Sequence, residues 1–404
     1  MKLYLQFGYG MMAHVKHMFK QWGGGTVILS MRDMEEEQIS TLATDLKAIN
    51  GQTLLDTQLY QPRSSNHHGL QKHDYFQDFC GDNYTTNLLS DDEKMKELFT
   101  SLKRLNDLAQ TEKYIVPGLY CEASIDSWNM AQKSFLRAAK KFFIDKKMLA
   151  TLCISSSLLS GKVNHIEQII ELAKTWNVDG FYVVPEGEYL EKNPTWFANL
   201  LSLVAGLKLL DKEVIVGYSN HQMLALACTK IDAIATGTWV NVRHFSLKRF
   251  EEPSSTGGKR VPWYYCPCSQ SEYKLATLDA FKRLAEGRGE TIQDLKTDIS
   301  MNSHYIDSYF DNDIEFKEQA AFRHYFQCMY KQSQIVSKES YADTYKALFN
   351  LQNNAEETIN ALYAKGLRQS ERSYKNIGEA CSAALEIFNQ EKGILMQRLW
   401  AKLN

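Results

Sequence analysis

The chain has 404 residues, 44% hydrophobic and 12% aromatic, which is enough apolar surface for a large buried core and excludes global disorder. Its formal net charge of −2 excludes a surface that is basic throughout, although it is compatible with a local basic patch. No apolar run approaches the roughly 18 residues of a membrane span, and the N-terminus lacks the pattern of a signal peptide. We therefore expect a cytoplasmic protein that does not enter a membrane.

Short apolar runs alternate with amphipathic helical stretches through the first part of the chain. The predicted strands are residues 3–7, 26–29, 53–55, 114–116, 149–154, 180–184, 214–216 and 231–235. Parallel strands need a crossover between each pair, and a helical stretch supplies one each time. This count and order predict an α/β fold, a (β/α)8 TIM barrel. The alternatives are an open doubly wound sheet, which usually has fewer strands, and two separate domains, for which no linker is visible.

The pattern changes after residue 245. A loop rich in Ser, Gly and charged residues leads to a short aromatic stretch, and amphipathic helical segments follow, for example 314–334, 339–364 and 377–403. We therefore predict a TIM-barrel domain over residues 1–245. Residues 246–404 are predicted as a loop plus a helical C-terminal domain, an all-helical extension of the barrel.

Polar side chains follow most of the predicted strands, and barrel active sites lie at those C-terminal strand ends. Asp56 follows the third strand and Glu186 the sixth, so they are candidates for the two carboxylates that cleave a glycosidic bond. A turn-capping aspartate and a loop glutamate are the structural alternatives. The candidates for ligand binding at the same end of the barrel are Tyr9, Arg32, Gln58, Tyr120, Tyr218, Asn220 and His221.

A basic stretch, residues 243–260, follows the eighth strand, beside the place where barrels often bind phosphate. A nucleic-acid backbone is one ligand for such a stretch. A solvated loop is the alternative, because Glu251 and Glu252 offset part of the charge. The candidates for phosphate contact are Arg243, Lys248, Arg249, Lys259 and Arg260.

No metal or cofactor is expected. The spacing of His67, His68 and His73 matches no standard metal site. Cys266 and Cys268 form a close pair, but a structural zinc site needs four ligands and no further ligand lies near them in the sequence. Neither the Gly-x-Gly-x-x-Gly pattern nor a P-loop is present, so a dinucleotide cofactor is not indicated.

Four segments carry a family resemblance. Residues 55–61, LDTQLYQ, are similar to Asp-Ser-Gly-Gly-Phe-Gln, and residues 179–188 resemble a strand that ends Gly-Gly-Leu-x-x-Gly-Glu. Gly217 falls on the segment Met-Gly-Val-Gly, and residues 231–235 resemble Val-Asp-Met-Phe-Asp-Cys, with residues 241–243 near a later Thr-Arg. In these segments the chain resembles the tRNA-guanine transglycosylase superfamily, including its members that act on DNA or in deazaguanine metabolism. The resemblance covers most of the predicted barrel and none of the helical extension.

The resemblance places the family's catalytic aspartate at Asp56 and its glutamine at Gln61. It implies a nucleobase ligand, an N-glycosidic bond as the point of attack, and a role in a nucleic-acid modification or defence system. Three departures concern the chemistry. The second family aspartate, the nucleophile, falls on Ala235, the paired glycines fall on Gln58 and Leu59, and the zinc cysteines are reduced to a remnant.

Three functions follow. The first is a transferase or N-glycosidase that acts on a base. The second is a subunit without catalysis that binds nucleic acid or nucleotide and docks a protein partner through its helical extension, whose apolar faces must pack on something. The third is a glycoside hydrolase that uses Asp56, Glu122 or Glu186.

Overall fold

Eight parallel strands with helices between them form a nearly closed barrel, which confirms the predicted TIM-barrel fold. The computed structural model describes residues 1–62, 64, 67–77, 79–80, 86–252, 261–289, 318–368 and 370–403. The barrel strands are β1 (Lys2–Gln6), β2 (Gly25–Ser30), β3 (Gly51–Asp56), β4 (Tyr114–Val116), β6 (Met148–Ile154), β7 (Gly180–Pro185), β8 (Glu213–Val216) and β9 (Ala233–Thr236). A two-residue strand, β5 (Tyr120–Cys121), also pairs with β6.

The barrel closes between its first and last strands. The hydrogen-bonded order is β3-β2-β1-β9-β8-β7-β6-β4, with Leu5 opposite Thr236 and Ser30 opposite Asp56. β3 and β4 do not pair as strands, and the Glu112 amide instead donates to the Thr53 carbonyl at 3.1 Å. All eight strands run the same way, so their C-terminal ends meet at one mouth of the barrel.

The helices around the barrel are α1 (Met12–Trp22), α2 (Glu36–Lys47), α3 (Asp74–Gln77), α4 (Asp92–Leu108), α5 (Ile125–Phe142), α6 (Ser156–Leu159), α7 (Val163–Lys174) and α8 (Pro194–Lys208). Side-chain caps start several of them. Asp91 accepts from two backbone amides at the start of α4, and Asn193 does the same before α8. After β8 a wholly buried 3-10 segment, His221–Thr229, replaces an α-helix.

The C-terminal part begins with an antiparallel hairpin that sequence analysis did not predict, β10 (Trp263–Cys266) and β11 (Ser271–Lys274). The helices that follow are α9 (Leu275–Glu286), α10 (Glu318–Val336), α11 (Tyr341–Ala364) and α12 (Lys375–Leu399). α10 packs on α1 and β1, α11 on the 3-10 segment, and α12 on α8. One hydrophobic core therefore runs from the barrel into α10, α11 and α12, whereas α9 packs with the hairpin in a second, smaller cluster. The domain boundary at residue 245 stays a prediction.

Short 3-10 turns complete the described elements, at Met31–Asp33, Thr86–Ser90, Val240–Val242, Leu247–Phe250 and Trp400–Lys402. Within the described ranges, no helix combines the length and the apolarity that crossing a bilayer requires.

Candidate functional site

The Asp56 carboxylate lies at the centre of the barrel mouth, 2% exposed, at the end of β3. Its Oδ2 atom accepts hydrogen bonds from the hydroxyls of Tyr60 at 2.7 Å, Tyr218 at 2.9 Å and Tyr182 at 3.2 Å. Its Oδ1 atom accepts from the Gln58 amide at 2.9 Å. Three phenols from three different elements therefore converge on one buried carboxylate.

Burial raises the pKa of Asp56, because removing a carboxylate from water disfavours its charged form. The donated hydrogen bonds of Tyr60, Tyr218 and Gln58 lower the pKa, as does the Arg249 cation, but burial is the largest effect. A carboxyl group with a raised pKa suits general acid chemistry near neutral pH.

Gly217 leaves the space in which the Tyr182 ring reaches Asp56. A Cβ atom on Gly217 would lie 2.5 Å from the Tyr182 hydroxyl oxygen, so a larger residue at this position would displace the ring. The same hydroxyl lies 3.2 Å from Gln6 Oε1, which brings the end of β1 into the network. The glycine that carried part of the family resemblance therefore has a packing role here.

Gln58 lies inside the same network, with a backbone φ of 58°. Its Oε1 atom accepts from the Arg32 amide at 2.9 Å and from the Ser30 hydroxyl at 3.1 Å. Its Nε2 atom donates to the Tyr218 hydroxyl at 2.9 Å. The side chain is therefore used within the protein, and it holds the end of β2 against the end of β3.

Residues 245–250 fold back over the barrel mouth and cover Asp56. The Phe245 ring packs on the rings of Tyr60 and Tyr218, with centroids 5.1 and 5.2 Å apart. The buried Arg249 guanidinium lies 4.7 Å from the Tyr218 ring centroid and 3.3 Å from Asp33 Oδ2. Asp56 is thus enclosed by aromatic rings, and solvent does not reach it directly.

Glu186 follows β7 and is half-buried. Its Oε2 atom accepts hydrogen bonds from the Tyr120 hydroxyl and, at 3.1 Å, from the Ser156 amide. Among the described residues Glu186 shares no hydrogen-bond partner with Asp56. Burial raises the pKa of the Cys153 thiol, and the charges of Asp56 and Glu186 raise it further.

A cleft of about 680 Å³ opens beside these groups, at the C-terminal ends of β3, β4 and β5. Tyr60 and Tyr120 line it side by side, and the Tyr120 amide donates to the Tyr60 carbonyl at 2.9 Å. We call this the aromatic cleft. Its lining consists of Tyr60, Gln61, Pro62, Ser64, Leu89, Leu119, Tyr120, Glu122, Ala123, Ser124, Ser127, Trp128 and Ala131.

The predicted ligand residues fall into two groups. Gln58, Tyr120 and Tyr218 belong to the networks of Asp56 and Glu186. Arg32 is adjacent, since its guanidinium donates to Asp33 Oδ1 at 2.6 Å and to the Arg249 carbonyl at 2.8 Å.

The other predicted ligand residues lie outside both networks. Tyr9 is 67% exposed at the end of β1. Asn220 is buried and caps the 3-10 segment by accepting from the Gln222 amide at 2.8 Å. His221 is buried beneath the C-terminal part, with its ring centroid 4.9 Å from that of Tyr265. Neither Asn220 nor His221 faces the aromatic cleft.

The predicted phosphate contacts are also divided. Lys248 is exposed. Arg243 and Arg249 are buried in ion pairs with Glu272 and Asp33, so their guanidinium groups are not on the surface where a nucleic-acid backbone would pass. Lys259 and Arg260 lie outside the described residues.

Sequence reasoning did not single out Tyr60, Tyr182, Phe245 or Trp128 as site residues. A signal existed for Tyr182, because its hydroxyl interrupts the otherwise apolar strand β7 and must find a partner inside the barrel. No comparable signal marks Phe245, which reaches the mouth only because the chain turns back after β9.

The structure brings part of the cysteine pattern together. Cys328 Sγ lies 3.5 Å from His324 Nε2. Burial is the largest cause of the raised pKa of the Cys328 thiol, and the nearby Cys266 and Cys268 raise it further. In the part of the chain that the structure describes, no group of three or more His, Cys, Asp or Glu side chains is placed to hold a metal ion.

No protein-family model matches the chain, and no curated protein sequence matches it significantly. Solved structures match it at low identity. The 3-dehydroquinate dehydratase from Aquifex aeolicus is 13% identical, with 62% of this chain and 95% of that chain covered and a TM-score of 0.35. Xylanase 10B from Thermotoga maritima is 10% identical, with 58% and 82% covered and a TM-score of 0.35. These likenesses concern the fold alone.

Proposed function

We propose that the aromatic cleft binds a nucleobase, free or in a nucleic acid, and that the protein is a diverged barrel of the tRNA-guanine transglycosylase type that acts on the N-glycosidic bond. One observation carries the proposal. Tyr60 and Tyr120 are neighbours in the cleft wall, and each donates its hydroxyl to one of the two candidate carboxylates, Asp56 and Glu186.

The lining of the cleft suits a flat ring with polar edges. Tyr120 is partly exposed and supplies aromatic surface, with the buried rings of Tyr60 and Trp128 behind it, and stacking on an aromatic ring contributes about 1–3 kcal/mol per base. Gln61 and Glu122 are exposed at the same cleft and supply hydrogen-bonding groups for the edge of a base. The volume of about 680 Å³ is that of an ordinary small-molecule site.

The chemistry in this proposal passes through the tyrosines. When Asp56 is protonated it can donate to the Tyr60 oxygen while the Tyr60 hydroxyl passes its own proton to the departing base, which leaves Asp56 as the carboxylate. In this proposal Glu186, held by Tyr120, offsets the positive charge that develops on the sugar. An incoming base or a water molecule then forms the new bond to the sugar. Neither step uses the position of Ala235, which is wholly buried in β9.

A second candidate is a binding subunit without catalysis. The two carboxylate oxygens of Asp56 already accept hydrogen bonds from four donors. The resemblance places the family's nucleophilic aspartate at Ala235, so the covalent base-exchange route lacks its nucleophile. A docked protein partner belongs to this candidate. Exposed apolar side chains on α11 and α12 support it, with Tyr363 66% and Ile394 70% exposed.

The test combines base exchange with binding. The protein is incubated with labelled guanine or a 7-deazaguanine and with total tRNA or duplex DNA. Wild type is compared with Asp56→Asn, Tyr120→Phe and Tyr120→Leu, and Tyr114→Phe is the control because its hydroxyl bonds Asp145 away from the cleft. Label that enters the polymer with wild type and not with Asp56→Asn supports the enzyme.

The binding arm separates the two candidates. Base binding that Tyr120→Phe preserves and Tyr120→Leu abolishes, without any transfer of label, supports the subunit without catalysis. If neither tRNA, DNA nor free base binds to the wild-type protein, both candidates are wrong.

A further inference from the structure

A second cavity, of about 310 Å³, lies at the C-terminal end of β9, between the barrel and the C-terminal part. Its lining comes from the loop after β9, from the β10–β11 hairpin, from the start of α10 and from Arg372. It shares no lining residue with the aromatic cleft, so a ligand here is independent of what the cleft binds.

Two arginines and one glutamate meet at this cavity. Arg243 Nη1 lies 2.5 Å from Glu272 Oε1, and Arg372 Nη1 lies 2.6 Å from Glu272 Oε2. The side chains of Arg243 and Glu272 are 5% and 1% exposed, whereas Arg372 is 25% exposed. The buried Glu272 carboxylate therefore pairs with two guanidinium groups. Arg372 is the more exposed of the two arginines, and its remaining N–H groups can donate to a ligand.

The side chains that line the cavity carry more positive than negative charge. Lys274 and Glu318 also line it, which brings the described lining to three basic and two acidic side chains. Lys274 pairs at 2.7 Å with Glu371, whose carboxylate is well exposed and lies outside the lining. An excess cation in a half-enclosed site attracts an anion more strongly than it would on the open surface. The end of the eighth barrel strand is also where TIM barrels frequently hold phosphate.

An unsatisfied hydroxyl points to the same conclusion. Thr238 lines the cavity and is 1% exposed, and its Oγ1 atom has no hydrogen-bond partner among the described residues. A buried hydroxyl without a partner costs free energy, so a ligand or water that bonds to it is expected. Ion pairing of Glu272 with Arg243 and Arg372 joins the two parts of the protein, but that role accounts neither for the hydroxyl without a partner nor for the excess positive charge of the lining.

Aromatic rings form the walls. Trp239 meets Phe322 edge to face with centroids 4.9 Å apart, and both line the cavity. The Arg372 guanidinium lies 3.9 Å from the Trp263 ring centroid, which fixes its plane. Trp239 and Trp263 are both partly exposed, so part of each ring faces the cavity.

We propose that this cavity binds a small organic anion that carries a planar ring, of the chemical class of a nucleoside monophosphate. Arg372, Lys274 and the Thr238 hydroxyl hold the anionic group, and the tryptophans hold the ring.

The full-length protein is titrated with guanosine 5′-monophosphate, guanosine and inorganic phosphate, by calorimetry and by tryptophan fluorescence. The nucleotide is expected to bind at least about tenfold more tightly than guanosine or phosphate, because only the nucleotide uses both parts of the site. Arg372→Gln and Thr238→Val should each weaken it about tenfold. Lys274→Gln should weaken nucleotide binding too. This variant leaves the ion pairs of Glu272 with Arg243 and Arg372 intact, so its effect cannot come from the folding defect that Arg372→Gln could cause.

The matched control is Arg104→Gln, which makes the same change at an exposed ion pair with Glu36. The titrations are repeated in Tyr120→Leu, whose aromatic cleft should no longer bind a base, and the nucleotide should still bind there because Tyr120 does not line this cavity. The proposal is overturned if the nucleotide does not bind to Tyr120→Leu or if guanosine binds to that variant equally well. It is also overturned if Tyr120→Leu abolishes binding while Lys274→Gln and Arg372→Gln do not, which would place the nucleotide in the aromatic cleft.

Discussion

The Tyr60 hydroxyl donates to Asp56 Oδ2 at 2.7 Å, and the same tyrosine lines the aromatic cleft. The carboxylate that the sequence predicts as a catalytic candidate is therefore separated from the aromatic cleft by one tyrosine side chain. Such an arrangement makes the protonation of Asp56 and the orientation of Tyr60 interdependent, because the hydroxyl donates only while the carboxylate accepts.

Replacing Tyr60 by phenylalanine keeps the ring and removes one donor from Asp56. The pKa of Asp56 should rise further, and the unfolding free energy at pH 7 should fall by about 1.5–3 kcal/mol, as for a hydrogen bond to a charged group. Urea unfolding measures the second effect, and infrared spectroscopy of the protonated carboxyl group, assigned with Asp56→Asn, measures the first. Tyr114→Phe, whose partner Asp145 is well exposed, should cost less. Equal losses in both variants would contradict this role of Tyr60.

The pKa of Asp56 also predicts a dependence of stability on pH. Between the ordinary value of 3.8 and the raised pKa of the folded state, the folded protein keeps a proton that the unfolded chain releases. The contribution of this group to stability is therefore complete below about 3.8 and is lost as pH rises through the folded pKa. Asparagine does not titrate, so Asp56→Asn should not lose stability in this way as pH rises. Its unfolding free energy relative to wild type should rise from pH 4 to pH 7, and a difference that is flat or falls would show that burial does not dominate.

Gln58 has a left-handed backbone, with φ at 58°, where the resemblance places a glycine. Gln58→Gly and Gln58→Ala lose the same side-chain hydrogen bonds, but only alanine keeps the strain. The glycine variant should therefore be more stable than the alanine variant by about 1 kcal/mol in chemical unfolding. At Gln52, in the extended strand β3, the order should reverse. The same order at both positions would contradict the explanation.

The barrel was predictable because its strands are short apolar runs that alternate with helices, and the end of each run locates the mouth. Asp56 and Glu186 were placed at the mouth for that reason. The partners of Asp56 were not predictable. In strands buried on both faces no alternation of polar and apolar residues tells which side chains meet, so the sequence indicates that the Tyr182 hydroxyl needs a partner but does not identify Asp56 as that partner. Phe245 and Arg249 reach Asp56 only through the path of a loop.

His221 illustrates a second limit of the sequence. It follows β8, so it was expected to face the mouth, but Tyr265, Tyr325 and Tyr374 from the C-terminal part surround its ring. These residues are distant in sequence, and their packing on the 3-10 segment depends on how the hairpin and α10–α12 fold back. Such long-range contacts leave no local pattern in the sequence.

The burial of His221 predicts acid sensitivity. Burial lowers the pKa of His221 from 6.5 to about 4, against an opposing effect of Glu272. The unfolded chain binds this proton first, so the contribution to stability is complete above pH 6.5 and is lost as pH falls toward 4. Between pH 7.5 and pH 5 the group should remove about 2 kcal/mol of unfolding free energy. His221→Phe should lose correspondingly less over that interval, and an unchanged pH profile would mean that His221 is not buried in this way.

Glu272 joins Arg243 of the barrel to Arg372 of the C-terminal part, and its removal tests how much that junction stabilises the protein. Glu272→Gln leaves two cations beside a buried amide, so unfolding free energy should fall by about 3–5 kcal/mol. Glu36→Gln, which breaks an exposed pair with Arg104, should cost at most about 1 kcal/mol. The double variant Glu272→Gln with Arg372→Gln should be more stable than Glu272→Gln alone, because it removes one of the uncompensated charges. If the double variant is the less stable of the two in urea unfolding, repulsion between the arginines is not what destabilises the single variant, and the packing of Arg372 on Trp263 contributes more than its charge.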